Sequence, residues 1–205
     1  MVILKICGIT NAEDAAAAIG GGATAIGFNF WPRSPRYIAP ERAAEIASNA
    51  DVRRVGVFVN EEPARVEEIA HMVKLDVAQL HGDETPVTYP AGPAVWKAAR
   101  VGPGFDLSAY EDCPVEALVL DGPAGALYGG SGQSFDWSLA AGIGKRIILA
   151  GGLDASNVAQ AIAAAHPWGV DACSRIESAP GKKDHQKMVE FLRAAQQAAK
   201  ETVRA

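Results

Sequence analysis

A chain of 205 residues with 49% hydrophobic and 21% charged side chains has the composition of a globular protein with a sizeable core. Its formal charge of −5 leaves no electrostatic footprint for nucleic acid or an anionic membrane, so a phosphate could be met only by a local site. No apolar run approaches bilayer length, and the odd cysteine count with no leader-like start points to a reducing cytoplasm.

In chain order, short apolar runs alternate with helical patterns. VILKIC (residues 2–7) delivers Cys7 to the Gly8 turn, ahead of an alanine-rich helix that Thr10 or Asn11 can cap. TAIGFNF (24–30) leads into WPRSPRYI, a loop stiffened by Pro32 and Pro35, and then into a helix that starts at Pro40. RRVGVFVN (53–60) is followed by a helix that starts at Pro63, and LDVAQLH (75–81) by a weaker segment. AVWKAAR (94–100) and EALVLD (116–121) come next, the segment between them again holding a short helix at most. A glycine-rich stretch, GGSGQSFDW (129–137), is long enough to act as a lid, and helix-like spacing covers 134–144. RIILAGG (146–152) then precedes a helix with Ser156 or Asn157 as its cap, and GVDACS (169–174) precedes a long final helix over 183–203.

The apolar runs are nearly continuous, as strands covered on both faces are. Eight such units with crossovers of one hand imply a closed α/β fold, a (β/α)8 TIM barrel spanning residues 1–205 as one small domain with short loops. An open doubly wound sheet is disfavoured because no GxGxxG follows the first strand. Chemistry in such barrels sits at the C-terminal strand ends. Here those ends carry Cys7, Asn29 with Phe30, Asn60, His81, Arg100, Asp121, Gly151 with Gly152, and Cys173 with Ser174.

Each candidate has a plain structural reading beside the chemical one. A cysteine is most often a small buried hydrophobe, but Cys7 ends a strand immediately before a turn. Strand alternation puts Lys5 on the same side as Cys7, where an ammonium one layer down would lower the thiol pKa. Equally, Lys5 could form a barrel-core salt bridge, to Asp171 or to the carboxylate that pairs with Lys97. Asp121 reads either as a turn cap before Gly122 or as a general acid facing Cys7 across the mouth. Gly151–Gly152 and the stretch DACSRIESAPGKKD occupy the loops after strands seven and eight, the usual phosphate site of this fold. Arg33 and Arg36, on their proline-stiffened loop, suit bidentate recognition of a carboxylate. His71, His81, His166 and His185 are scattered without metal-ligand spacing, so no metal is expected.

KICGIT, GFNFWPRSPRYI, VGVFVN, AQLHGDE, LVLDG, GGSGQSFDW, LAGGLDASNV and VDACSRIESAPGKKD, in that succession, resemble the phosphoribosylanthranilate isomerases of tryptophan biosynthesis along essentially the whole chain. The resemblance implies an Amadori rearrangement of N-(5-phosphoribosyl)anthranilate, without cofactor or metal, with Asp121 as general acid and Cys7 as general base. It implies that Arg36 binds the anthranilate carboxylate, that Gly151, Gly152 and the Cys173–Arg175 turn (Ser174 and Arg175 among its residues) hold the phosphate through backbone N–H groups, and that His81 and Asp171 support them. The partner so implied is a small phosphosugar–anthranilate substrate, with no nucleic acid or membrane, and with monomer and homodimer both open. One departure stands out: Cys173-Ser174-Arg175 replaces the family's usual Ser-Ser-Gly, and arginine lacks glycine's freedom at positive φ. The side chain of Arg175 is expected to add a charge-assisted phosphate contact in exchange. The sister aminoaldose–ketose isomerase of histidine biosynthesis is the rival enzyme, disfavoured by the thiol at Cys7. A non-catalytic sugar-phosphate sensor is the rival of another class, disfavoured by the presence of both Cys7 and Asp121.

Overall fold

The computed structural model describes residues 2–122, 135–140 and 144–202. Eight parallel strands close on one another in sequence order: β1 (Ile3–Ile6), β2 (Ala25–Asn29), β3 (Arg53–Phe58), β4 (Val77–Leu80), β5 (Ala94–Arg100), β6 (Ala117–Asp121), β7 (Ile147–Leu149) and β8 (Gly169–Ala172). The ring closes where β1 pairs with β8, Ile3 opposite Gly169 and Ile6 opposite Ala172. Every apolar run of the sequence became a strand of this (β/α)8 barrel, in the expected order.

Alternation along the strands divides the core in two. Ile6, Phe28, Phe58, Leu80, Leu118 and Leu120 point outward beneath the helices, whereas Ile3, Ala25, Val55, Val77, Trp96 and Ile148 fill the barrel interior. Trp96 spans the floor of that interior, edge-on to Trp168 with ring centroids 5.9 Å apart.

The outer layer holds α1 (Ala12–Gly20), α2 (Pro40–Ala47), α3 (Pro63–Val73), α4 (Val158–Ala165) and α5 (His185–Thr202). Asn11 caps α1 by accepting from the Asp14 amide at 2.8 Å, and Pro40 and Pro63 open α2 and α3. Units four and five carry only 3-10 turns, Pro86–Thr88 and Leu107–Tyr110, as their weaker patterns implied. The helix expected over 134–144 is, in its described part, only a 3-10 turn, Trp137–Ala140. Asp136 closes that turn on the Ser138 amide and hydroxyl, which favours a tight cap over a longer helix. Most of the lid segment 129–137 lies outside the described residues.

One element was not foreseen. After β8 a short antiparallel hairpin, β9 (Glu177–Ala179) and β10 (Lys182–Lys183), folds toward the barrel mouth around Pro180 and Gly181. The Thr10 hydroxyl donates to the Gly181 carbonyl and ties the hairpin to the loop after β1. Among the described residues no helix is long and apolar enough to cross a membrane.

Candidate active site

A cavity of about 290 Å³ opens at the C-terminal end of the barrel. Cys7, Arg36, His81, Asp121, Gly151, Gly152, Asp171, Ser174 and Arg175, the residues to which the resemblance gives a role, line it together. The other strand ends divide as alternation dictates. Asn29 lines the cavity, while the next residue, Phe30, points outward and stacks on Phe58 at 5.3 Å. Asn60, at φ 50, turns away to receive the Asp83 amide, and Arg100 borders a second, wider hollow over β4 and β5. Arg33 lies over the Trp31 ring, 5.8 Å from its centroid, and does not line the cavity.

Beneath the cavity, fully buried Lys5 donates to Asp171 Oδ2 at 2.7 Å. The salt-bridge reading of Lys5 is therefore correct, and Asp171 is its partner, since Lys97 pairs instead with Glu84 at 3.0 Å. Lys5 nevertheless also reaches Cys7. Burial opposes the ammonium, but Asp171 and Cys7 outweigh it and keep Lys5 charged. Asp171 itself is pushed up to about 7 by burial, against the pull of Lys5 and with the push of Cys7 and Asp121.

Cys7 is held well below the ordinary thiol range. The largest cause is a hydrogen bond from Cys173; burial opposes it, and the Lys5 and Lys183 charges add to it. The surroundings of Cys7 thus favour its thiolate over its thiol.

Asp121 faces the same space from β6, buried, with the His81 Nε2 atom 3.3 Å from its Oδ2. Gln79, two residues before His81 and so on the same face of β4, donates from Nε2 to His81 Nδ1 at 3.2 Å. Of the four buried side-chain polar atoms without a hydrogen-bond partner among the described residues, three belong to groups that line the cavity: His81 Nε2, Gln79 Oε1 and Asp171 Oδ1. Orphans of this kind are costly in a folded interior and point to a site built to be filled by a polar ligand. Gly151 lets the loop after β7 close on Asp121: at φ 76, a Cβ there would stand 2.7 Å from Asp121 Oδ1.

Arg36 is not free. Its guanidinium grips Glu177 through Nε (2.9 Å) and Nη2 (2.7 Å), and Lys183 Nζ holds the same carboxylate at 2.9 Å. Burial opposes ionisation of Glu177, but Arg36 and Lys183 win and hold it below the usual carboxylate range. Sequence reasoning missed Glu177, Lys183 and Gln79. The Pro-Gly step between two short polar runs was the signal for the first pair, and the i−2 relation to His81 for the third.

On the opposite wall the loop after β7 is pinned by Asn157, which sits at the cap position of α4. Its side chain donates to the Gly152 carbonyl at 2.8 Å and accepts from the Asp154 amide at 3.0 Å, in place of capping the helix. The strand-eight turn resolves the Arg175 question. Residues Ser174–Ile176 form a 3-10 turn, and none of them is at positive φ, so the turn does not need a glycine. Arg175 projects over the loop toward Asp154 at 3.3 Å, about two-fifths exposed.

Comparison with known proteins gives a consistent picture. A family model for N-(5′-phosphoribosyl)anthranilate (PRA) isomerase matches residues 4–194. A relative of that name from Solibacter usitatus (strain Ellin6076) is 67% identical over 197 residues, 96% of this chain and 98% of its own. The crystal structure of phosphoribosyl anthranilate isomerase from Thermotoga maritima superposes with a TM-score of 0.88 at 41% identity, covering 96% of this chain and all (100%) of that one. Another such isomerase, in complex with reduced 1-(o-carboxyphenylamino)-1-deoxyribulose 5-phosphate, superposes with a TM-score of 0.84 at 38% identity, covering 96% of this chain and 100% of that one.

Proposed function

The chain belongs to the N-(5′-phosphoribosyl)anthranilate isomerase family of tryptophan biosynthesis, and from that premise we propose how its residues divide the reaction. Asp121 is the general acid and Cys7 the general base. Asp121 protonates the furanose ring oxygen, the C1–O bond breaks, and the anthranilate nitrogen lone pair forms a Schiff base at C1. Cys7 thiolate then takes the proton from C2; the C–H electrons move into C1=C2 and neutralise the iminium, giving an enolamine. Tautomerisation of that enolamine yields the 1-amino-1-deoxyketose. Acid and base on opposite walls suit a reaction that protonates one atom and deprotonates its neighbour's neighbour.

Binding falls to the rest of the cavity. Arg36, oriented by Glu177, receives the anthranilate carboxylate through the part of its guanidinium that Glu177 leaves open. Gly151, Gly152 and Ser174 meet the phosphate, with Arg175 adding charge from above. His81 and Asp171 act on the two catalytic groups, His81 beside Asp121 and Asp171 through Lys5. The complex of a relative with reduced 1-(o-carboxyphenylamino)-1-deoxyribulose 5-phosphate supports a phosphorylated, carboxylate-bearing ligand for this cavity as well.

The observation that carries the reading is the convergence of a depressed thiol and a buried carboxyl on one cavity above a lysine–aspartate pair. It is tested by following the loss of substrate fluorescence with Cys7→Ser and Asp121→Asn. Each should lower kcat by a factor on the order of 10²–10⁴ with KM little changed, as acid–base groups act chiefly in the transition state. Near-normal turnover in either variant removes that residue from the mechanism.

A further inference from the structure

We propose that Cys173 is a positioning residue for Cys7: its S–H donates to the Cys7 sulfur and keeps that sulfur a thiolate ready to take a proton. The inference deepens the assignment of Cys7 as base and rests on it. Its origin is the seam where the barrel closes. β1 and β8 run parallel with Ile6 opposite Ala172, and the Cys7 amide donates to the Ala172 carbonyl at 2.9 Å. The next residue of each strand is a cysteine, and both side chains turn into the same cavity. The glycines beside them leave little room to move: a Cβ on Gly27 would stand 3.0 Å from Cys7 Sγ, and one on Gly8 would stand 3.2 Å from Cys173 Sγ. The two cysteines thus stand on neighbouring strand ends at one mouth, each with little room to turn away.

A buried thiolate needs donors as well as charge. The groups around Cys7 come from four elements: Lys5 below it on β1, Asp171 and Cys173 from β8 and its end, Lys183 from β10, and Arg36 from the loop after β2. Each cation is shared with a carboxylate. Lys5 is paired with Asp171, and both Lys183 and Arg36 hold Glu177. Cys173 is the neutral member of the set that brings a proton without a competing partner anion. Lys183 approaches Cys173 only loosely, its Nζ lying 3.9 Å from Cys173 Sγ and 3.3 Å from the carbonyl of the same residue. Burial and the bond to Cys7 together hold the Cys173 proton firmly, its thiol raised well above the ordinary range. In the proposed arrangement the pair shares one proton, on Cys173, and one negative charge, on Cys7. When Cys7 abstracts the C2 proton, an S–H bond forms as C2–H breaks; Cys173 keeps its own proton and afterwards faces a neutral thiol.

A serine at this position supplies the same donation through a hydroxyl, whereas alanine supplies none. The test is the pH dependence of iodoacetamide alkylation at Cys7, located by mass spectrometry, in wild type, Cys173→Ser and Cys173→Ala. Cys173→Ala should raise the apparent pKa of Cys7 by about one pH unit, and Cys173→Ser should leave it within a few tenths. The acid limb of kcat/KM should move with it, so that Cys173→Ala loses about tenfold at low pH and recovers at high pH. Cys173→Thr and Cys173→Val repeat the contrast at nearly constant volume, which keeps the test open should alanine impair folding. An unchanged Cys7 profile in Cys173→Ala, or Thr and Val behaving alike, overturns the proposal, as does a loss of kcat/KM uniform across pH. Alkylation reports Cys7 ionisation whether or not Cys7 is the base, so active Cys7→Ser enzyme would sink the mechanism while leaving this result to stand alone.

Discussion

The floor and the mouth of the barrel interior are built from the same eight strands and differ only in how far along each strand one looks. At the floor, Ile3, Ala25, Val55, Val77, Trp96 and Ile148 fill the space with apolar volume. Two residues further along come Lys5, Gln79 and Asp171, and two further still Cys7, His81 and Cys173, with Asp121 at the end of β6. Period-two alternation keeps all of them pointing inward, so backbone geometry is constant while chemistry changes by layer. Stability and reactivity are thereby assigned to different ends of one cylinder. The middle layer, where Lys5 meets Asp171, belongs to both.

Substitutions at three levels probe that division. At the floor, Trp96→Ala should destabilise by about 4 kcal/mol in denaturant unfolding, because it empties the centre of a packed layer. The folded fraction should keep its kcat, and a selective loss of turnover would show that the two ends are not separable. In the middle layer, Lys5→Met should cost about 3 kcal/mol by leaving Asp171 buried without its cation. It should also raise the Cys7 pKa and depress turnover. The double replacement Lys5→Met with Asp171→Leu should recover most of the stability and none of the turnover, and recovery of both would demote the pair to packing. At the mouth, Arg175→Ala should leave Tm unchanged and raise KM a few-fold, the scale of one partly screened charge-assisted contact. An unchanged KM would mean that Arg175 serves only its pairing with Asp154.

Layering also explains what could be read in advance. Which residues share a face follows from counting along a strand, so Lys5 and Cys7 could be placed on one side before any coordinates, whereas which side faces inward could not. Strand ends resisted the same reading where the chain leaves the strand: Asn60 adopts positive φ and turns away, and Arg33 lies on the loop surface over Trp31. Helices were legible where a proline or asparagine fixed their start. The described part of 134–144, the turn Trp137–Ala140, was not, because an aspartate-closed turn and the first turn of a helix share the same local sequence.

The sequence by itself determined the number and order of the strands, the barrel they close and the residues that share a face of each strand. These depend on apolar runs, turn residues and a strict alternation, all local properties. Only the tertiary structure decided which inward groups meet: Lys5 with Asp171, Glu177 with Arg36 and Lys183, and Cys7 with Cys173. Those pairings join residues from 6 to 166 positions apart and follow from ring closure and hairpin docking, which no local pattern encodes.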